Sequence, residues 1–294
     1  MLLAAGLGTR LDPLTRLRAK PAVPFLGQPL IRRLATQVSG ATRLVVNLHH
    51  LPDSVRRALA GLGGPPVQFS PETALLGTAG GIGLALSRGL LDPSAPVLVV
   101  NGKLHTDIPF QSLWEEHRRS GALVTMALLR NRTREAFREV KTRDGRVVGF
   151  EEGRDPVSEH PLAFTGVQVL NPQVLAQIRP VESDTIRDVL PPFIEAGEVA
   201  AWTTDARWWE FSTCERYLGL HLRARRLGLS DPSQVSVDSL LWPGVRLPEG
   251  RTLHRCVVLD GAEVPTGTHA HMVFAPDGIH RLDPEAVLQA EGLP

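Results

Sequence analysis

A glycine turn followed by an arginine, and two lysines placed after it, are the residues of this 294-residue chain best suited to do chemistry. Leu3, Ala4 and Ala5 run into Gly6-Leu7-Gly8-Thr9-Arg10. Glycines there let successive backbone N–H groups turn toward an anion. Arg10 supplies a fixed, always-charged fork suited to phosphate oxygens. Lys20, in Ala19-Lys20-Pro21, adds a second cation, and Lys103 follows the apolar run "PVLVVNG". A buried strand that stops at Asn101-Gly102 hands its next side chain to a site, so Lys103 is expected to face one. The turn lacks the Gly-Lys-Ser/Thr of a P-loop and the third glycine of the dinucleotide fingerprint, which argues against a dinucleotide-dependent oxidoreductase. Binding of phosphate groups is the chemistry these residues support.

The elements that must hold them read as alternating strands and helices. The runs "RLVVNLHH", "PVQFS", "PVLVVN" and "LVTMALL" are β-branched and apolar, and "LIRRLATQVSG", "DSVRRALAGLG", "GGIGLALSRGLL" and "FQSLWEEHRRSG" carry apolar residues at helical spacing. Such alternation predicts an α/β fold: a Rossmann-like, mixed but mostly parallel sheet with helices on both faces, whose ligands bind beyond the C-terminal ends of the strands. "EVKTRDGRVVGF" reads as a hairpin turning at Asp144-Gly145, and "DTIRDVLPPFIEAG" as a helix interrupted by its prolines. "RWWEFSTCERYLGLHLRARR" reads as a strand running into a helix capped by Ser212 and Glu215.

After "GLSDPS" the pattern changes. Val235, Leu241, Leu247, Leu253 and Leu259 recur every six residues, the period of a left-handed parallel β-helix. The chain therefore divides into residues 1–228 and a short β-helix-like tail at 229–294. A two-coil tail has open ends and is expected to pack on the rest of the chain or pair two copies into a homodimer.

Composition bounds the function. A net charge of +1 with no basic stripe predicts no nucleic-acid partner. No apolar run reaches membrane-span length, the N-terminus has neither a basic n-region nor a cleavage site, and two cysteines suit a reducing compartment. A soluble, cytoplasmic protein is expected. His49, His50, His269 and His271 lack the company of a metal site, Cys214 reads as a buried thiol, and Trp202, Trp208 and Trp209 as core or pocket wall.

The whole stretch "LLAAGLGTRLDPLTRLRAKPAVPFLGQPL" resembles the signature of the sugar-1-phosphate nucleotidyltransferases, with Leu3 to Thr15, then Lys20-Pro21, then Pro29-Leu30. Within that family the look is closest to mannose-1-phosphate guanylyltransferases and N-acetylmuramate-1-phosphate uridylyltransferases. The resemblance covers roughly residues 2 to 220. It implies NTP and sugar-1-phosphate as substrates and an NDP-sugar and pyrophosphate as products. It places Leu3, Ala4, Ala5, Gly6, Gly8, Thr9, Arg10, Glu72, Gly77, Thr78 and Asn101 around the nucleotide, with Glu72 of "SPETALLGTAGGI" facing the base. It places Glu152, Thr165 and Gly166 around the sugar, and makes Arg10, Lys20 and Lys103 catalytic.

Two departures fall at the metal site the resemblance implies. The family's two metal-binding aspartates correspond to Lys103 and Glu210. Glu210 can hold a hard cation such as Mg2+, but an ammonium has no acceptor. The ion is then either carried on the NTP or replaced by Lys103, which would pair with Glu210 when the cleft is empty. The alternative is a catalytically silent homologue that binds a sugar nucleotide and regulates a partner enzyme.

Overall fold

Alternating side chains decide the layers. In the strand Leu44–Leu48, Leu44, Val46 and Leu48 pack with Ile31, Leu34 and Val55, while Val45 packs with Ala79, Ile82 and Ala85. The strand Val97–Asn101 divides in the same way, with Val97 and Val99 in the second cluster and Leu98 and Val100 in the first. A period of two therefore buries both faces of one sheet. The helices Leu30–Gln37, Pro52–Leu59 and Phe110–Ser120 cover one face and Gly77–Ser87 the other, each close to where its apolar spacing predicts a helix. The structure is a computed structural model that describes residues 1–38, 40–131, 137–151, 161–229, 235–236 and 238–292.

The sheet has nine strands in the order Val67–Pro71, Leu44–Leu48, Leu2–Leu3, Val97–Asn101, Leu162–Leu170, Val124–Arg130, Val199–Thr204, Arg146–Glu151 and Glu139–Arg143. The first four are parallel. Leu162–Leu170 runs against both of its neighbours, and Arg146–Glu151 runs against Val199–Thr204, so the sheet is mixed. The expected hairpin is present, with Asp144 and Gly145 at φ 49 and 74 as a two-residue primed turn requires. The segment after Ser183 breaks at its prolines as read, into Thr185–Val189 and Pro191–Glu195. The strand Trp208–Glu210 leads into the helix Cys214–Arg226. Its cap is Thr213, whose side chain accepts from the Arg216 N–H, rather than Ser212.

The tail builds two parallel stacks. Leu240 lies opposite Val257 and Val257 opposite Val273, steps of 17 and 16 residues. In the second stack Leu253 lies opposite His269, again 16 residues on. Gly278–Arg281 closes the first stack antiparallel to Met272–Ala275, and the helix Pro284–Glu291 packs on Cys214–Arg226. Leu241, Leu247 and Leu253 gather with Cys256 and Phe274 as the hexad reading expects, but Leu259 turns instead toward Leu11, Phe25 and Tyr217. A strict hexad needs coils of 18 residues; steps of 16 and 17 shift the phase, and the period does not survive past Leu253.

That second core has a consequence for the site. Leu11, Leu14, Val23, Phe25 and Leu30, which flank the glycine turn and Lys20, pack with Trp209, Tyr217, Trp242, Val257 and Val273. The loop after the first strand thus rests on a core shared with the tail.

Candidate active site

The strand Leu2–Leu3 lies between Leu44–Leu48 and Val97–Asn101, where connections leave the sheet in opposite directions. Ligands of open α/β sheets bind beyond such a point. A cleft of about 480 Å³ opens there. Leu3, Ala4, Ala5, Gly6, Gly8, Thr9, Arg10, Lys20, Gly77, Thr78, Asn101 and Lys103, all predicted from the sequence, line it together. Leu7 and Pro21 of the same signature line it too, and so do Asn47, Leu75 and Asp184, which were not anticipated.

At one end the backbone is held by buried polar groups. Gly8 adopts φ 69, and a Cβ there would stand 2.9 Å from Thr15 Cγ2 and 3.1 Å from Lys20 Cβ, so both conformation and space demand glycine. The Ala4 N–H donates to Asn47 Oδ1 at 2.7 Å, and Asn47 Nδ2 donates to Glu72 Oε1 at 2.7 Å. The second Glu72 oxygen accepts from the Leu76 N–H at 3.1 Å. Glu72 is buried behind the cleft wall, and its place is made by Gly81, where a Cβ would come within 2.7 Å of Oε1. The carboxylate expected to face a base also helps anchor the glycine turn, through Asn47. That chain is spread over residues 4, 47, 72 and 81, and no local pattern announces it.

The start of the helix Gly77–Ser87 is also occupied from behind. Carbonyls of Val181 and Ser183 sit where side chains on Gly80 and Gly77 would be, so these glycines admit a neighbouring loop. Thr78 Oγ1 donates to Asp184 Oδ2 at 2.9 Å and accepts from the Thr185 N–H at 2.8 Å. Asp184 also accepts from the N–H groups of Ile186 and Arg187. Its position just before Thr185 is the usual place of a capping aspartate, the signal that could have found it.

At the other end charge takes over. The strand Leu104–Thr106 pairs antiparallel with Trp208–Glu210, setting Leu104 opposite Glu210 and so Lys103 beside it. Lys103 Nζ lies 2.8 Å and Lys20 Nζ 3.1 Å from the same oxygen, Glu210 Oε1. Lys20 and Glu210 are buried, while the Lys103 side chain is 36% exposed toward the cleft. Burial lowers the Lys20 ammonium to about 8 against the pull of Glu210, with Lys103 pushing the same way as burial. Burial alone would raise the Glu210 carboxyl, but Lys103 and Lys20 outweigh it and hold it at about 2. Lys103 thus pairs with Glu210, as expected from the sequence.

This donor set does not suit a divalent cation. Glu210 offers its oxygen to two ammonium groups, Lys103 has no lone pair, and no group of three His, Cys, Asp or Glu side chains able to hold a metal occurs among the described residues.

The side expected to take the sugar is partly structural. Gly166, at φ 78, sits in a bulge of Leu162–Leu170, and the Asn101 amide fills the space its side chain would need. Thr165 is buried: its hydroxyl donates to Ala127 O at 2.7 Å and its carbonyl accepts from Trp208 Nε1 at 2.8 Å. Glu152 lies outside the described residues. His49 bonds to Glu72 O and His50 to Thr15 O, as loop-packing groups. Both cysteines are free, and burial pushes the Cys214 thiol up to about 12.

Residues 1–221 match the Nucleotidyl transferase family. A mannose-1-phosphate guanyltransferase of Emericella nidulans is 29% identical over 232 residues, 74% of this chain. The mannose-1-phosphate guanylyltransferase catalytic subunit beta of Dictyostelium discoideum is 26% identical over 76% of this chain. These matches span 62% and 64% of those relatives' own lengths. The crystal structure of HddC from Yersinia pseudotuberculosis complexed with GMP-PN shares the fold, with a TM-score of 0.62 at 22% identity over 74% of this chain and 94% of that one. No helix among the described residues is long and apolar enough to cross a membrane. The glycine turn, the strand order that places it and the sequence match over three quarters of its length agree: this chain belongs to the Nucleotidyl transferase family.

Proposed function

We propose that the protein joins an NTP and a sugar-1-phosphate into an NDP-sugar, and that Lys103 acts where relatives use a metal ion. The observation that carries this is the shared carboxylate: Lys20 and Lys103 converge on Glu210 Oε1 at the end of the cleft lined by the glycine turn. An oxygen of the sugar phosphate attacks the α-phosphorus of the NTP in line, the bond to the β-phosphate oxygen breaks, and pyrophosphate leaves. Such a transfer needs positioning and neutralised charge more than it needs a base. Backbone N–H groups of residues 5–9 and the Arg10 guanidinium hold the triphosphate. Lys20 meets the α-phosphate or the sugar phosphate. Lys103, a compact charge on a flexible stem, swings from Glu210 to the α-phosphate when the cleft fills. Any Mg2+ arrives on the NTP.

Further assignments belong to the same proposal. Glu72 positions the turn beside the base, Asn101 lines the nucleotide site, and Glu152, Thr165 and Gly166 border the sugar. Residues 1–228 form the catalytic unit. Residues 229–294 form a short left-handed β-helix-like unit through which two copies pair, in the cytoplasm. GTP with mannose-1-phosphate is the first pair to test, since relatives are named for it. The lysine also favours a second reading, in which turnover is lost and the protein binds a sugar nucleotide to regulate a partner enzyme. Incubation with NTPs and sugar-1-phosphates, with magnesium and with chelator, separates the two. Pyrophosphate release from at least one pair is expected. Silence with all of them, together with tight binding of an NDP-sugar, would establish the second reading.

A further inference from the structure

The loop between the two cationic residues Arg10 and Lys20 is gripped from outside the sheet. Arg16 pairs with Asp12 within the loop and with Asp277 of the tail. Arg18 pairs with Asp260 of the tail, and its guanidinium lies 4.7 Å from the centre of the Trp242 ring. These three tail residues follow the ends of successive stacked strands. Trp242 follows Ser239–Leu241, Asp260 follows Val257–Val258, and Asp277 is in the turn after Met272–Ala275. The two turns touch, since a Cβ on Gly261 would lie 3.6 Å from Pro276. The parallel stacking thus delivers one loop contact per coil.

Other contacts make the grip specific. Trp242 Nε1 donates to the Tyr217 hydroxyl at 3.1 Å, which donates to Pro24 O at 2.6 Å, fixing the chain just past Lys20. The second oxygen of Asp260, Oδ1, is buried without a hydrogen-bond partner, so the contact with Arg18 is the compensation for its partial desolvation. An isolated exposed ion pair contributes little to global stability. Two such pairs and a cation–π contact within three residues instead bear on the local shape of a loop.

We propose that Asp260 and Asp277 are positioning residues for the phosphate-binding loop: by holding Arg18 and Arg16 they keep residues 9–20 in the conformation that aims Arg10 and Lys20 into the cleft. The tail is then part of the nucleotide site without touching it. This rests on the reading of the loop as a nucleotide cradle, and the test keeps the two separable.

The variants are Asp260→Asn with Asp277→Asn in the full chain, and the charge swap Arg18→Asp with Asp260→Arg. Amide hydrogen exchange of residues 9–20 is expected to quicken about tenfold in the double asparagine variant, the scale of coupling within one ion-pair network, while the strand Val97–Asn101 exchanges as before. GTP affinity by calorimetry should fall about tenfold, and the charge swap should recover much of both losses relative to Arg18→Asp alone. Unchanged exchange in the double variant would overturn the clamp whatever the protein binds. Faster exchange with unchanged GTP affinity would overturn the link to the nucleotide site. A wild type that binds no NTP would instead defeat the cradle reading, while the exchange data still judge the clamp.

Discussion

The two ends of the cleft are built in opposite ways. At the glycine end the ligand-facing groups are backbone, and their position is fixed by a buried relay from Ala4 through Asn47 to Glu72. At the charged end the cleft-facing groups are the side chains of Lys20 and Lys103, which share one carboxylate oxygen and together with it carry a net charge of +1. A backbone cradle is rigid and tolerates few residue types, whereas a balanced set of charges can change members as long as the sum is kept. On the proposed reading of Lys103, this is why the charged end departs from the signature that the glycine end keeps.

The comparison is broken most severely at Glu210. Glu210→Ala leaves two ammonium groups facing each other, one of them buried, and should destabilise the fold by about 3–5 kcal/mol. Urea unfolding checks this; a loss below 1 kcal/mol would mean the charges are not balanced through Glu210. Arg10 is exposed, so Arg10→Ala should leave stability intact and weaken nucleotide binding by about 1.5–3 kcal/mol, read by calorimetry. At the glycine end, Gly8→Ala places a side chain in the left-handed region against Thr15 and should lose about 1–2 kcal/mol of stability, seen as a lower melting temperature.

The smallest effect is pH dependence, and it belongs to the charged end alone. Lys20 titrates at about 8 in the folded chain against 10.5 unfolded. Between those values the unfolded chain holds a proton that the folded chain has released, so this group makes stability rise with pH across that window. Glu210, at about 2 against 4.5, stabilises fully above 4.5 and loses that contribution as pH falls toward 2. For the ligand, loss of the Lys20 charge means nucleotide affinity should fall as pH passes 8. Calorimetry between pH 7 and 9.5 that found constant affinity would remove Lys20 from the phosphate site.

The contrast also explains what could be read from residues alone. Gly8 and Arg10 were legible because their requirement is local: a left-handed backbone and a charge just beyond it. The pairing of Lys103 with Glu210 was legible because the resemblance put two residues of opposite charge at one site; the buried Lys20 on the same oxygen was not foreseen. The anchoring role of Glu72 was not legible because its partner Asn47 comes from a separate segment, and a carboxylate in a loop gives no sign of which way it turns. Asp184 was passed over because a capping aspartate has the same appearance whether or not a cleft lies beside it. The tail's hexads predicted parallel strand pairing but not its 16- and 17-residue steps, which turn Leu259 into the core behind the glycine loop.

The proposal that Lys103 stands where the family resemblance implies a metal ion is tested most directly by Lys103→Asp. Pyrophosphate release by wild type and variant is followed across a magnesium titration with saturating NTP and sugar-1-phosphate. The account predicts a wild type that turns over with little dependence on magnesium, and a variant that is either silent or active only when magnesium is high. A wild type inactive at every magnesium concentration, or a variant whose magnesium dependence matches that of the wild type, would contradict it.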